Sequence, residues 1–457
     1  MYQSLICALL AAVLLFCGCA SSDRSSPEIV VTISPHTATV LARGSQQFAA
    51  MVSGSSNNSV SWSVREGSAG GIVSDSGLYT APLPPAITPW SPPASPIPVR
   101  PARRQSALPS VFKAAGTLLT SHTFHSSTLM RDGKIFIAGD IDILNDGKVT
   151  ETYDVAAGAS LHGPDLLLAR RDHVGVLLPN GQVLILAGDV VGRGTTDTTE
   201  VYDPSSGTVA AGPKLPQASA FQAIAPLPDG RIIVAGGLDP LKFRTVNTVL
   251  LYDPAVNSFN SAGILAYGAG SSSSTLLADG RILLAGGFDP EIVKPTLIPG
   301  SQTYDPSLQQ SIRSGNMSIC GFGHTATLLP NGTVLVAGGA GPSPPFPGCG
   351  YLDTHGPSVT MEIYDPVRGT FTPTGDMTTA RVEHTATLLS NGKVLIVGGG
   401  TATADGTATA EVYDPQTGIS TPTASMSAPR VGHTATLLPD GRVVIIGGGP
   451  TPVEVFQ

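Results

Sequence analysis

Charge and aromatic rings are both scarce in this chain. Of its 457 residues, 13% are Asp, Glu, Lys or Arg and 5% are Phe, Trp or Tyr. The formal net charge is −8, so there is no excess of cation for a phosphate backbone, which excludes nucleic acid as a partner. Beyond residue 20 no run of 18 apolar residues occurs, which excludes a helical transmembrane domain. Turn formers are abundant instead: 53 Gly and 39 Pro make up about a fifth of the chain, against a usual ~12%. Such a bias accompanies disorder when apolar content is low. Here 41% of residues are hydrophobic and the mean hydropathy is +0.19, so the composition implies a folded, turn-rich chain of aliphatic strands.

Leu5 to Phe16 is an apolar stretch too short to span a bilayer and right for the core of a signal peptide, which residues 1–19 provide. The stretch ends in Phe16-Cys17-Gly18-Cys19-Ala20-Ser21, which resembles a bacterial lipobox. That resemblance implies acylation of Cys19 and an exported protein held at the outer membrane or cell surface by a lipid anchor. Cys7, Cys17 and Cys19 lie in the signal, so Cys320 and Cys349 remain as a pair in an oxidising compartment.

From residue 28 to 82, short bursts of alternating apolar and polar residues are separated by Gly, Ser and Asn. Val30-Val31-Thr32-Ile33 and Val60-Ser61-Trp62-Ser63-Val64 are examples. The stretch, which closes with Gly77-Leu78-Tyr79-Thr80-Ala81-Pro82, resembles a bacterial immunoglobulin-like domain, a spacer or adhesion module. Residues 83–109 carry nine prolines, a composition that favours polyproline II and a stiff linker of roughly 80 Å at ~3.1 Å per residue.

The rest of the chain, 110–457, is periodic. An Asp-Gly or Asn-Gly turn recurs at 132, 180, 229, 279, 331, 391 and 440, with spacings of 48, 49, 50, 52, 60 and 49. One strand precedes each turn and another follows it. A third strand carries an aromatic, at Tyr153, Tyr202, Tyr252, Tyr304, Tyr364 and Tyr413, and a fourth carries a Phe such as Phe371. Four antiparallel strands repeated seven times predict an all-β fold, a seven-bladed β-propeller preceded by the small β-sandwich. The strand, glycine pair, Tyr and Phe resemble kelch and galactose-oxidase-type propellers. Blades one and two depart at Gly139-Asp140 and Gly188-Asp189, and blade two reads as having one extra residue, a bulge. The seventh repeat stops after a third strand, while Phe112 stands 13 residues before His125, as Phe371 does before His384. Residues 111–118 are therefore expected to close the ring as the outer strand of the last blade.

Five blades place a histidine seven residues before the turn: His125, His173, His324, His384 and His433. A ring of imidazoles suggests metal, but one residue repeated at one position more often serves its own blade, so no metal and no cofactor is assigned. The same five blades carry a Glu two residues before the third-strand aromatic: Glu151, Glu200, Glu362, Glu411 and Glu454. Co-occurrence points to contact, so a His–Glu hydrogen bond is expected in each of these blades.

Candidate ligand-binding residues fall where the fourth strand runs into the next first strand and the second leaves for the third. They are Arg170, Arg381 and Arg430, three residues before a blade histidine; Glu383, one before; and Tyr351, Asp353 and His355 in the longest loop. Cys320 and Cys349 on that face would staple the loop as a disulfide; the alternative is two free thiols, and thiol titration of the unreduced protein separates the two. The resemblance leaves two kinds of function open. One is recognition of a glycan or protein ligand without catalysis. The other is a carbohydrate-active enzyme, either a sugar mutarotase or epimerase or a galactose-oxidase-like copper oxidase. In that oxidase family copper is held by two Tyr and two His with one Tyr cross-linked to Cys, and here, of the tyrosines within 110–457, only Tyr267 and Tyr351 lie outside the structural repeat.

Overall fold

The computed structural model describes residues 30–34, 45–47, 49–53, 72–73 and 78–80, and residues 111–457 except 141–146, 191–193, 240–243, 269, 290–295, 298–299, 319–320, 343–354 and 403–405. The chain divides into two compact units, 1–103 and 104–457. In the first, Val30–Ser34 pairs antiparallel with Ala49–Ser53, and Leu78–Thr80 lies between Ser45–Gln47 and Ile72–Val73. Cys19, Trp62 and the proline-rich linker 83–109 lie outside the described residues.

The second unit is a β-propeller. Among its described residues, four-stranded antiparallel sheets recur seven times in chain order. The Asp-Gly and Asn-Gly turns start each unit because their second residue must be left-handed; in all seven it is glycine, with φ between 81° and 92°. The strand after the turn is buried at every position, as in Ile135–Ala138, Val394–Val397 and Val443–Ile446. Each blade is covered on both faces by its neighbours, so this strand reads as a continuous apolar run and not an alternating one. The third-strand aromatics Tyr153, Tyr252, Tyr304, Tyr364 and Tyr413 are almost wholly buried.

Seven apolar clusters hold the blades together, and each spans two neighbours. In one of them Ile135, Ile137 and Tyr153 of blade one meet Leu438, Val444, Ile446 and Val455 of blade seven, so the ring is closed. Closure uses the expected segment. Phe112–Thr117 is the outer strand of blade seven, with Phe112 opposite Phe456 and Lys113 opposite Val455. The two phenyl rings lie 5.1 Å apart. Outer strands also touch where Ala159 meets Thr117 and Ile264 meets Gln310, which merges two pairs of neighbouring blades into continuous sheets.

Blade two does not contain the expected bulge. Its pairing runs without a break from Val174↔Leu186 to Leu177↔Val183 and on to the third strand. Ala187 and Gly188 occupy the places of the two glycines, and Ala187 takes the left-handed backbone of the first at φ 46°. The apparent extra residue is a glycine replaced by alanine.

Closure by the N-terminal strand has a direct test in truncated chains. A chain that starts at residue 104 is expected to unfold cooperatively at the temperature of the mature protein. One that starts at 119 loses the strand and exposes two edges, and should melt at least ~5 °C lower or aggregate. Equal melting of the two would remove Phe112–Thr117 from the ring.

Candidate functional site

The buried arginines are structural. Arg170, Arg381 and Arg430 have no exposed surface. Each sends its guanidinium to the carboxylate of the third-strand glutamate of its own blade: Arg170 to Glu200 at 2.7 Å, Arg381 to Glu411 at 3.0 Å, Arg430 to Glu454 at 3.1 Å. Each also donates to the carbonyl that follows the second strand, those of Ala187, Gly398 and Gly447, at 2.6–2.8 Å. The carboxylate accepts backbone N–H groups from the segment leading into the blade, such as those of Leu167, Thr378 and Ser427. A charge with no water is tolerable only when its partner and its hydrogen bonds are supplied, and here both are. In blade one His122 replaces the arginine: Nδ1 lies 2.9 Å from the Gly139 carbonyl and Nε2 lies 3.3 Å from Glu151. Burial raises the pKa of Glu151, but hydrogen bonds from His122, Ser160, Leu119 and Thr120 outweigh it and hold it at about 2.

The expected His–Glu hydrogen bonds do not form, because these arginines and His122 already occupy the carboxylates. In blade five Glu362 accepts the Ser318 N–H instead. The blade histidines turn the other way and bridge to a hydroxyl of the preceding blade. His173 Nε2 lies 2.9 Å from Ser126, His324 2.9 Å from Ser273, His384 3.0 Å from Thr325 and His433 2.9 Å from Thr385. His125 closes the circle onto Thr434 of blade seven at 3.2 Å. Burial lowers their pKa to about 3 in His173, His384 and His433 and to about 4 in His324, and well down in His125. These imidazoles are neutral struts between blades.

The residue immediately before each of these positions forms the candidate site. In blade order they are Phe124, Asp172, Phe221, Ser271, Gly323, Glu383 and Gly432, and every one is left-handed, with φ from 52° to 69°. They stand at the start of the innermost strands and bond to one another across blades. Phe124 N donates to Gly432 O, Asp172 N to Phe124 O, Ser271 N to Phe221 O and Glu383 N to Gly323 O, at 2.8–3.1 Å. Together they form a circle of backbone around the mouth of the central channel. Glycine would adopt this backbone freely, whereas a side chain there costs about 1–2 kcal/mol. Phe124, Asp172, Phe221 and Glu383 are nevertheless retained, all of them partly exposed.

Asp172 and Glu383 make the mouth acidic. Burial pushes Asp172 up to about 6; Arg171, 3.7 Å away, pulls it back, and Glu383 and Asp189 push it further. Burial also raises Glu383, whose carboxylate has no hydrogen-bond or ionic partner among the described residues. Arg171 is committed to Asp189 at 3.0–3.1 Å. Short hairpins rise from the second-to-third-strand connections of blades two to five, such as Asp189–Val190 with Gly194–Thr195 and Ala340–Pro342 with His355–Pro357.

Of the binding residues the sequence suggested, the structure therefore leaves Glu383 at the mouth and removes Arg170, Arg381 and Arg430 from any surface. His355 lies in a paired strand at the base of the long loop. Tyr351, Asp353, Cys320 and Cys349 lie outside the described residues, and with them the expected disulfide. Asp172, Phe124 and Phe221 were missed. The signal was the glycine that takes their place in blades five and seven.

No protein-family model and no curated protein matches the chain. Among solved structures it is similar to a fungal alcohol oxidase of the AA5 family in complex with copper, with a TM-score of 0.58 and 17% identity over 76% of each chain. It is also similar to YjhT, with a TM-score of 0.51 and 14% identity, covering 67% of this chain and 98% of that one. The likeness is of fold, a galactose-oxidase and kelch-like propeller. The described residues do not fit copper. No three His, Cys, Asp or Glu side chains among them could share an ion, and the blade histidines are spread one to a blade in hydroxyl bridges. Tyr267 is held away from water under Arg313, with its ring centroid 5.5 Å from the guanidinium, and burial raises its pKa.

Two outcomes follow for the buried polar groups. Arg381→Ala strands Glu411 without its cation and should lower unfolding free energy by ~3–5 kcal/mol in urea melts; a loss under ~1 kcal/mol would contradict the structural role. Acid should act through the histidines. Their folded pKa values lie below the ~6.5 of an unfolded chain, so stability present at neutral pH is lost as pH falls below that value. Asp172, raised to about 6 in the fold, and Glu383, also raised, oppose this with one proton each as the pH falls toward ~4. The net slope should approach roughly 4 kcal/mol per pH unit, and a flat urea midpoint between pH ~7 and ~5 would show that the imidazoles are not buried neutral.

Proposed function

We propose that this is an exported surface protein, lipid-anchored through Cys19, whose propeller binds a glycan or protein ligand at its axial mouth without catalysis. One observation carries the reading. Among the described residues, the repeated polar side chains of this face are consumed by bonds within and between blades, while the side chains that differ from blade to blade, Phe124, Asp172, Phe221 and Glu383, stay partly exposed on the left-handed ring. A repeated frame with one divergent, partly exposed ring supports selective recognition.

A second reading has its own support. Asp172 at about 6 and a raised Glu383 are suited to proton transfer near neutral pH, which favours a sugar mutarotase or epimerase at the same mouth. The two separate in one experiment on the mature chain. It is screened against glycan and protein arrays, and each bound ligand is then followed by NMR for turnover. Saturable binding without conversion, weakened in Asp172→Asn and Glu383→Gln, is expected. Conversion of the ligand would make the protein an enzyme, and no binding at all would overturn both readings. In the source cell, wild-type protein should fractionate with membranes and Cys19→Ala should not; equal fractionation would remove the anchor.

A further inference from the structure

Resting on the binding role proposed above, we infer that the axial ring takes a protonated primary amine carried on a sugar, that is, a deacetylated amino sugar within a glycan. The order of side chains around the circle supplies the reason. Reading from blade six through blades seven, one, two and three, it runs Glu383, Gly432, Phe124, Asp172, Phe221. The Phe124 ring leans over Gly432, its atoms 3.2 Å from where a Cβ on that glycine would stand. In the order of the circle an acidic residue thus precedes and another follows the phenyl ring set over bare backbone, Glu383 leaning over Gly323 of the blade before its own. That combination is the chemistry of an ammonium site: the ring's negative face and two anions attract a cation and leave a neutral group unrewarded.

The local charges agree. Around Asp172 stand Arg171, Asp189 and Glu383, so three carboxylates face one guanidinium, and that guanidinium is committed to Asp189. The neighbouring His173 and His384 are neutral at pH 7 and add no positive charge. Two negative charges are thus uncompensated among the described residues; burial raises both Asp172 and Glu383, and the Glu383 charge raises Asp172 further. A bound ammonium would relieve both the burial and the repulsion. Phe221, on the far side of Asp172, offers a second apolar face. A pyranose ring with its axial C–H groups can lie on one phenyl while its amine meets the carboxylates, which favours a sugar over the slim side chain of lysine.

Strain in the ring supplies the control. Gly323 and Gly432 show that the fold accepts glycine at this position. Glu383→Gly therefore removes a carboxylate while relaxing the backbone, and a loss of binding in it cannot be blamed on unfolding.

Calorimetric titration of the mature chain with a glucosamine oligosaccharide, its N-acetylated counterpart and a lysine-rich peptide tests the inference. The free amine should bind at least ~10-fold tighter than the acetylated sugar. Affinity should fall as pH drops below ~6, where Asp172 loses its charge while the amine keeps its own. Glu383→Gly should melt at or above the wild-type temperature and bind at least ~10-fold more weakly, and Asp172→Asn should weaken the pH dependence. Equal affinity for the free and acetylated sugars, or full binding by Glu383→Gly, would overturn the inference while leaving the binding role intact. Tighter binding of the peptide than of either sugar would overturn the sugar part in favour of a protein ligand. A mature chain that binds nothing on any array removes the binding role itself.

Discussion

A four-stranded blade has two apolar faces and can bury neither alone. Everything else in the propeller depends on each blade finding a neighbour on both sides, which is possible for every blade only in a closed ring. The cluster between blades one and seven is the point at which the constraint is met, and Phe112–Thr117 makes it possible by completing blade seven from the other end of the unit. Burial on both faces explains the plain aliphatic second strands. It also explains why a chain with so few charges spends several of them inside.

Those interior charges do a specific job. Where the second strand ends and the third begins, the sheet opens and leaves carbonyls unpaired. An arginine, or His122 in blade one, reaches those carbonyls and is balanced by the glutamate of the same blade. The histidines do the same work between blades, each neutral and bridged to a hydroxyl of the blade before. Once both sets are committed to the frame, the polar chemistry left at the axis among the described residues is that of the left-handed ring, where blades differ.

Much of the fold was legible because turns and periods are local. The seven Asx-Gly turns marked the hairpins, and the 13-residue offset from Phe112 to His125 gave away the closing strand. The site was less legible, for two physical reasons. Glutamate and histidine occur together in the same five blades, yet co-occurrence does not say which of several accompanying residues is the contact. Arginine three residues before the histidine, present in three of those blades, was the true partner. In addition, Phe, Asp, Ser, Glu and Gly share no chemistry, so what unites the ring is a backbone angle that the side chains conceal. Aligning Glu383 with Gly323 and Gly432 would have exposed it, since glycine is the residue that such an angle favours. Blade two shows the same effect: alanine in a glycine position reads as an insertion until the pairing shows that it is not.

The central claim is that the repeated polar groups build the frame and the divergent left-handed ring meets the ligand. A crystal structure of the mature protein with its ligand bound tests this most directly. The account predicts density over Phe124, between Asp172 and Glu383, with Arg381 still paired to Glu411 and the histidine bridges intact. Density on the outer strands, or a guanidinium of Arg170, Arg381 or Arg430 released from its glutamate to hold the ligand, would contradict it.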